Sequence, residues 1–378
     1  MGNELDSIPL FEIDQQKADV STVTDSIERG SYWTKGPYVD KFESKLENYL
    51  NMKHAVVVNS GTTAIVATLE ALGVGKGDEV IVPSFTFIAT ANAVRLVDAE
   101  PMFADIEPRR YGLSPNSVEK QITDSTAAIL PVHPYGTGCR IKELVAIAER
   151  HDIPLVEDAA EVLGAEYEGQ KLGTFGDIAA LSFCQNKIVA TGEGGAVVTN
   201  NDELAEKVEL YRSHGRASSD YFQSSESGQY TALGTNIRMS DLTAALGCSQ
   251  LDRIDTLVSG RRRAAAQLNQ GFDDIDGVRP HKPPESGTHV YQLYTVELAE
   301  GIDRQNVINT LEERNIASKV YWDPAVHQTE YYRETKEGIS ELPTTEDISG
   351  RVLSLPMHPN LSKDETTRIV EAVNKSIK

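Results

Sequence analysis

Residues 153–198 read IPLVEDAAEVLGAEYEGQKLGTFGDIAALSFCQNKIVATGEGGAVV, and this stretch decides the fold. It contains three short apolar runs of strand length, at residues 155–156, 180–183 and 196–198. Four similar runs precede it, at residues 56–58, 80–82, 102–104 and 128–130. Short apolar runs that alternate with helical segments are typical of a buried, largely parallel sheet with crossover helices. The sequence therefore predicts an α/β fold over residues 39–210.

The segments between the runs have helical periodicity. Phe42, Leu46 and Leu50 recur every four residues, so they would share one face of a helix. After Ser240 the pattern changes: residues 242–254 and 260–272 are predicted to form two helices, residues 290–296 a strand, and the chain from Lys363 a last helix.

This change of pattern predicts two domains. We expect a large α/β domain over residues 1–255 and a smaller α+β domain over residues 256–378. The first 30 or so residues are expected to pack back on the small domain. Residues 218–234, which are rich in serine and glycine, are predicted to form an exposed loop.

The composition excludes several classes of protein. The chain has 57 acidic and 36 basic residues among 378, and its net charge of −21 would repel a nucleic-acid backbone. Three widely spaced cysteines favour a reducing compartment without a disulfide framework. No apolar stretch reaches the length of a membrane span, and the histidines lack metal-site spacing. We expect a cytoplasmic protein that has no catalytic metal and does not act on membranes or nucleic acids.

Two residues in the opening stretch form a chemically informative pair. Asp158 ends an apolar run, and Lys187 follows it by 29 residues. A lysine amine can form a Schiff base with pyridoxal 5′-phosphate (PLP), while a carboxylate can keep the cofactor's pyridine nitrogen protonated. Each residue alone is more often a surface charge or a helix cap. Together they predict a PLP site.

A third segment supplies a candidate phosphate site. The residues Asn59-Ser60-Gly61-Thr62-Thr63-Ala64 follow a predicted strand and begin a predicted helix, where free backbone N–H groups bind anions. The alternative is a simple N-cap, in which Ser60 or Thr62 only satisfies the helix end. Because ligands of open α/β sheets bind at the carboxyl ends of the strands, this segment, Asp158 and Lys187 can share one crevice.

At this point a family resemblance becomes specific. The motifs are GTT at residues 61–63, EDAAE at 157–161, GTFGD at 173–177, SFCQNK at 182–187, GEGG at 192–195 and NIRM at 236–239. In order and spacing they resemble the DegT/DnrJ/EryC1/StrS family of PLP-dependent sugar aminotransferases, over almost the whole chain. The resemblance implies the aspartate-aminotransferase fold (fold type I), with a mostly parallel seven-stranded sheet, and a homodimer with active sites at the interface.

The resemblance also assigns roles to individual residues. Lys187 resembles the Schiff-base lysine and Asp158 the partner of the pyridine nitrogen. The implied phosphate ligands are Ser182, Gly61, Thr62 and Thr63, together with Asn236 from the neighbouring subunit. Phe87 matches an aromatic residue that stacks on the cofactor ring, although packing in the core is the commoner fate of a phenylalanine.

The expected substrates follow from the same resemblance. Glu161 stands where many members have Gln or His near the cofactor's phenolic oxygen; it and Asn186 resemble a branch that aminates a GDP-linked 4-keto-6-deoxy sugar with glutamate. Cys184-Gln185 departs from that branch and leaves open a 3-keto sugar or a UDP- or dTDP-linked 4-keto sugar. Trp33, Thr34, Tyr321 and His327 resemble substrate-cleft segments, but ordinary packing or solvation explains each of them about as well.

Two other functions remain open. A PLP-dependent lyase or desulfurase could use the same fold, and a desulfurase would need Cys184 as its nucleophile. A regulatory protein could keep the fold without the chemistry. The presence of Lys187, Asp158, Ser182 and Asn236 together counts against that third interpretation.

Overall fold

The strands of the computed structural model account for all seven apolar runs. The structure describes residues 6–217, 228–335 and 341–377, so residues 218–227 of the predicted loop lie outside it. The strands are β1 (His54–Val58), β2 (Glu79–Pro83), β3 (Glu100–Ala104), β4 (Thr126–Ile129), β5 (Val156–Asp158), β6 (Glu166–Tyr167), β7 (Gln170–Lys171), β8 (Ile178–Ser182), β9 (Gly195–Thr199), β10 (Val278–Pro280), β11 (Tyr294–Leu298) and β12 (Val352–Leu355).

Helices fill most of the intervals between the strands. They are α1 (Lys17–Glu28), α2 (Pro37–Leu50), α3 (Gly61–Leu72), α4 (Ala89–Leu96), α5 (Pro115–Gln121), α6 (Ile141–His151), α7 (Asp202–Arg212), α8 (Asp241–Leu251), α9 (Ile254–Phe272), α10 (Arg304–Glu313), α11 (Glu330–Thr335), α12 (Pro343–Arg351) and α13 (Lys363–Ser376). Among the described residues, no helix is long and apolar enough to span a membrane.

The central sheet is mostly parallel and contains seven strands. One part has the order β1-β9-β8-β5 and the other the order β3-β2-β4. Two parallel bridges, Ile129 to Leu155 and Val132 to Asp158, join β4 to β5 and make the parts continuous. Only β9 runs antiparallel to its neighbours, β1 and β8. The predicted fold type I sheet is thereby confirmed.

Except for the short β5, the strands of this sheet supply side chains to two apolar layers. In β1, Val57 packs in the layer that contains Phe42 and Leu46 of α2, whereas Val56 and Val58 face the layer of α3 and α7. This alternation follows from the two-residue period of a strand. Because both faces are covered by helices, the sheet is buried and its carboxyl edge remains as the place for a site.

The C-terminal part has its own core. The antiparallel sheet β10-β11-β12 packs with α10, α13 and the second half of α9. Helix α9 begins among the large core, through Leu257 and Val258, and ends in the small core at Leu268 and Phe272. The helix thus bridges both cores, and the boundary near residue 255 stays a prediction.

The N-terminal residues divide between the two cores. Ile8 belongs to the small core and pairs with Ile316, whereas α1 packs against α8. The predicted strand at 290–296 also differs, because β11 begins only at Tyr294. Val290 and Leu293 donate their backbone N–H groups to Gly136 and Tyr135 instead. Residues 290–293 therefore link the small core to the large one.

Candidate active site

A pocket of about 370 Å³ opens at the carboxyl edge of the central sheet. Residues at the ends of β1, β5 and β8 line it, as the switch-point rule for open α/β sheets predicts. Of the residues predicted for the site, the pocket brings together Gly61, Thr62, Phe87, Asp158, Glu161, Ser182, Lys187 and Tyr321.

The start of α3 forms one end of this pocket. Ser60 caps the helix, since its hydroxyl accepts the backbone N–H of Thr63 at 3.1 Å. Gly61 lies directly against Ser182: a Cβ at Gly61 would come within 2.8 Å of the Ser182 Cβ. Thr63 does not line the pocket, because its hydroxyl bonds back to Asn59 at 2.7 Å. Helix start, Gly61, Thr62 and Ser182 together suit a phosphate group.

Asp158 is a buried carboxylate that two donors hold in place. Its Oδ2 accepts the Thr90 hydroxyl at 2.9 Å, and its Oδ1 accepts the Ala160 N–H at 3.2 Å. The Thr90 hydroxyl also lies 2.9 Å from that of Thr86. Burial raises the pKa of Asp158, and these hydrogen bonds and the charge of Lys187 only partly offset the rise. A cationic group placed against Asp158 would relieve this cost.

Lys187 and Glu161 form an ion pair inside the pocket. The Lys187 Nζ lies 3.2 Å from Glu161 Oε1, and both side chains are mostly buried. The other oxygen, Oε2, accepts the backbone N–H of Tyr135 at 2.8 Å. The carboxylate of Glu161, which would repel an ionised phenolic oxygen of the cofactor, is thus turned toward Lys187.

Aromatic side chains form the open end of the pocket. Phe87 is 59% exposed, although it lines the pocket, and Tyr321 and Trp322 lie on its wall. Trp322 stacks on Tyr135 with ring centroids 5.3 Å apart, and the Tyr135 hydroxyl donates to the Tyr321 carbonyl. Stacking of Phe87 on a cofactor ring remains a prediction, for which this exposed face is available.

Besides Thr63, four predicted residues lie away from this pocket. Asn236 is exposed, and Thr34 pairs with Ser240. The Trp33 indole donates to the Ser26 carbonyl at 3.1 Å. His327 is 6% exposed; its Nδ1 lies 2.6 Å from the Ser84 hydroxyl and its Nε2 3.2 Å from Glu346. The sugar contacts of Trp33, Thr34 and His327 and the phosphate contact of Asn236 across a subunit interface stay predictions.

Sequence reasoning missed Thr90, Tyr135 and Gln292. Thr90 lies in the first turn of α4, but Thr86 precedes that helix, so no local pattern indicates the contact of their hydroxyls. Tyr135 has a φ of 61° and follows a proline, but nothing in the sequence connects it with Glu161. Gln292 donates to the Asn186 carbonyl at 2.7 Å from a segment that the sequence assigned to a strand.

The residues of the pocket fit PLP. The start of α3 with Gly61 and Thr62, together with Ser182, can bind a phosphate. The amine of Lys187 lies in the same pocket and can form a Schiff base with the cofactor aldehyde. The buried carboxylate of Asp158 needs a cationic partner, which a protonated pyridine nitrogen would supply. Among the residues described, no three or more His, Cys, Asp and Glu side chains are placed to hold a metal ion.

Comparisons with known proteins show which family the chain resembles. The model of the DegT/DnrJ/EryC1/StrS aminotransferase family matches residues 14–374. The chain is 37% identical over 344 residues to a GDP-perosamine synthase of Caulobacter vibrioides, covering 90% of each chain. It is 35% identical over 336 residues to a UDP-N-acetyl-3-dehydro-alpha-D-glucosamine 3-aminotransferase of Acidithiobacillus ferrooxidans, covering 89% of this chain and 87% of that one.

A solved structure has a very similar backbone over almost the whole chain. PseC of Helicobacter pylori, an aminotransferase involved in the biosynthesis of pseudoaminic acid, superposes with a TM-score of 0.92 at 29% identity. The match covers 98% of this chain and 99% of that one. The chain therefore belongs to the DegT/DnrJ/EryC1/StrS aminotransferase family and is a PLP-dependent enzyme.

Proposed function

We propose that this enzyme transfers an amino group from glutamate to the keto carbon of a nucleotide-linked 6-deoxy sugar, for a surface glycan. The observation that carries the proposal is the meeting of Lys187, Asp158 and Glu161 in one pocket with an open aromatic end. A lysine and a buried carboxylate are the two groups that transamination needs at the cofactor.

Each residue has a separate task in this reaction. Bound PLP supplies an electron-accepting ring that stabilises negative charge on the carbon beside the transferred nitrogen. Asp158 would keep the pyridine nitrogen of the cofactor protonated, and Gly61, Thr62 and Ser182 would bind its phosphate. The Lys187 amine, once released, moves the proton to and from the substrate carbon as general base and acid.

Glu161 is placed to act on Lys187 rather than on the cofactor. It lies 3.2 Å from the amine, while the backbone of Tyr135 fixes its other oxygen. In this position Glu161 accepts a hydrogen bond from the Lys187 amine and can orient it. This orientation supports the glutamate at position 161 as part of the chemistry.

The sugar that the proposal favours is GDP-4-keto-6-deoxymannose, which would make the product GDP-perosamine. The identity to a GDP-perosamine synthase supports this choice. The similarity to a UDP-linked 3-aminotransferase supports the alternative, a 3-keto sugar or another nucleotide. The pocket wall at Tyr321 and Trp322 offers an apolar surface on which a sugar ring can pack.

The proposal includes a homodimer with shared sites in the cytoplasm. Asn236 is exposed and lies outside the pocket of its own chain, so it is free to reach the phosphate of a neighbouring subunit. A pocket that is open at Phe87 leaves room for such a contribution.

The direct test is a product assay. The PLP-loaded protein is incubated with glutamate and a panel of GDP-, UDP- and dTDP-linked 3-keto and 4-keto sugars, and the products are identified by mass spectrometry. We expect the mass change for replacement of the keto oxygen by H and NH₂ with the GDP-linked 4-keto sugar, together with formation of 2-oxoglutarate. Lys187→Ala should abolish turnover while the protein remains folded. Full turnover by this variant would refute the mechanism.

Cys184 keeps one alternative open, because it lines the same pocket. A desulfurase would need its thiolate as the nucleophile. Cys184→Ala should leave transamination largely intact. Neither the wild type nor the variant should release sulfide from free cysteine in the presence of a thiol reductant. Sulfide release by the wild type that is lost in Cys184→Ala would favour the desulfurase instead.

A further inference from the structure

A second cleft of about 580 Å³ lies between the two domains. The large domain contributes Arg109, Arg110 and Tyr111, and the small domain contributes residues of the segment 272–285. None of these residues lines the pocket around Lys187. The cleft is therefore a separate space that neither the cofactor nor the transamination chemistry accounts for.

The cleft is basic although the molecule is acidic. Its walls include Arg109, Arg110, Arg279 and Lys282 against only Asp273 and Glu285, in a chain of net charge −21. A local excess of positive charge in a concave surface raises the concentration of anions there. The cleft lining thus has an excess of cationic side chains, in contrast to the net negative charge of the chain.

Not all of these cations are engaged by protein groups. Arg110 lies over the Tyr167 ring at 5.4 Å, and Arg279 donates to Glu297. Arg109 is exposed, and its guanidinium makes no bond with the part of the chain that the structure describes. Lys282 has only a solvent-exposed pair with Asp273 at 3.6 Å, which is worth little. Arg109 and Lys282 therefore face the cleft from different domains and are available to a ligand.

The buried part of the cleft wall contains an unpaired imidazole. His281 is 4% exposed and stacks on Tyr111 with ring centroids 4.6 Å apart. Carbonyls of Arg109 and Arg110 approach its ring, but neither ring nitrogen has a hydrogen bond in proper geometry among the described residues. Burial lowers the pKa of His281 to about 3, so the ring is neutral and can donate one N–H. A buried donor without an acceptor is unfavourable, and a ligand oxygen would remove that cost.

We propose that this cleft binds a phosphate-bearing anion that bridges the two domains. Arginine presents a planar fork of N–H donors that matches phosphate oxygens, and Lys282 adds a point charge from the other side. The volume exceeds that of a single phosphate, so there is room for a pyrophosphate or for a nucleoside phosphate. The prolines at 280, 283 and 284 provide a rigid apolar wall for the remainder of such a ligand.

The test is isothermal titration of the PLP-loaded enzyme with orthophosphate, pyrophosphate, GDP and UDP, in KCl of constant ionic strength. We expect saturable binding that the double variant Arg109→Ala/Lys282→Ala weakens about tenfold or more, since two charge-assisted contacts are lost. Arg140→Ala is the matched control, because Arg140 pairs with Glu143 elsewhere on the large domain. That control should bind as the wild type does.

A second variant examines the buried part of the wall. His281→Phe keeps an aromatic ring beside Tyr111 and removes the ring nitrogens, and we expect weaker binding with a melting temperature near that of the wild type. Pyrophosphate as tight as GDP would identify the inorganic anion as the ligand, and tighter GDP or UDP would identify a nucleoside phosphate. Both results support the site.

Three outcomes would overturn the proposal. They are absence of binding by all four probes, equal affinity in the double variant and the wild type, and binding that Phe87→Ala abolishes while the double variant retains it. The last outcome would place the ligand in the cofactor pocket. Because no sugar substrate is present, these results do not depend on which sugar the enzyme aminates.

Discussion

Asp158 is a carboxylate that the fold buries without help from any ligand. Burial raises the pKa of Asp158, so its ionisation is less favourable in the folded chain than in the unfolded chain. Above the unfolded pKa of about 3.9, the folded state therefore loses stability as pH rises toward the folded pKa. In the cofactor-free protein, the charged side chain of Asp158 therefore lowers the free energy of unfolding at neutral pH.

We predict that Asp158→Asn separates stability from cofactor binding. The cofactor-free variant should melt at or above the wild-type temperature at pH 7, with a smaller difference at pH 4, because the neutral amide avoids the burial cost. Its PLP affinity should fall, since the amide cannot balance a positive ring nitrogen. Melting curves with and without PLP check both parts, and a cofactor-free variant that is clearly less stable than the wild type would contradict the argument.

Thr90 is expected to set the orientation and charge of Asp158. Its hydroxyl donates to Asp158 Oδ2 at 2.9 Å from a fully buried position. Thr90→Val keeps the shape but removes the donor, and a hydrogen bond to a charged group contributes about 1.5–3 kcal/mol. We predict PLP affinity about tenfold or more below the wild type, measured by absorbance titration. Thr90→Ser should restore it; equal affinity in Val and Ser variants would reduce Thr90 to a packing residue.

Some site residues could be predicted and others could not, for a physical reason. Asp158, Ser182 and Lys187 follow apolar runs, so the rule for strand ends places them together. The bond of Thr90 to Asp158 spans 68 residues and that of Gln292 to Asn186 spans 106. Such contacts depend on tertiary packing, which no local pattern encodes. The sugar contact that the resemblance implies for His327 stays a prediction; in the structure its Nδ1 lies 2.6 Å from the Ser84 hydroxyl.

At the scale of elements, the close approach of α3 to β8 shapes the phosphate end. A Cβ at Gly61 would meet the Ser182 Cβ at 2.8 Å and its hydroxyl at 3.0 Å, so Gly61→Ala must push the helix start away from the strand. We predict a marked loss of PLP affinity, measured by titration of the cofactor-free protein. Gly350→Ala in α12 is the control, because nothing lies within 4 Å of its Cβ. That substitution should preserve PLP binding and stabilise slightly.

The loop that carries Lys187 is held from outside by the segment before β11. Gln292 Nε2 donates to the Asn186 carbonyl at 2.7 Å, and buried Arg261 donates to the carbonyls of Tyr291 and Gln292. The sequence predicted a strand here from its apolar alternation, but residues 290–293 bond with the 135–136 loop and so cannot extend β11. Periodicity alone could not distinguish these two uses of the same pattern.

We predict that Gln292 positions Lys187 without touching the substrate. Gln292→Leu removes the bond to Asn186 and should lower kcat several-fold while KM for the sugar changes little, because the lysine loop is released and the sugar contacts remain. The absorption band of the lysine-bound cofactor should also shift in its pH titration. Gln292→Glu cannot donate from its side chain when ionised and should behave similarly at neutral pH. A change confined to thermal stability would assign Gln292 a structural role only.

At the scale of the whole molecule, the fold type and its sheet were accessible from the sequence, whereas the way the two domains meet was not. Seven apolar runs with helical segments between them leave few topologies for a buried parallel sheet. The interdomain contacts instead depend on single side chains such as Tyr111, whose hydroxyl donates to Glu297 of the small domain at 2.8 Å. Contacts between subunits also depend on single side chains. The contribution of Asn236 to a partner's active site therefore needs a direct test.

If Asn236 completes the phosphate site of a partner subunit, two inactive variants should complement each other. Lys187→Ala removes the amine from its own site, and Asn236→Ala removes a ligand from the site across the interface. In a mixed dimer both defects fall in one site and the other site is intact, so random mixing should restore about a quarter of the wild-type activity. Each variant is first assayed alone, and the mixture is refolded or coexpressed so that subunits exchange. Because two defects confined to their own chains would leave every site damaged, a mixture no more active than its separate components would show that Asn236 does not act across the interface.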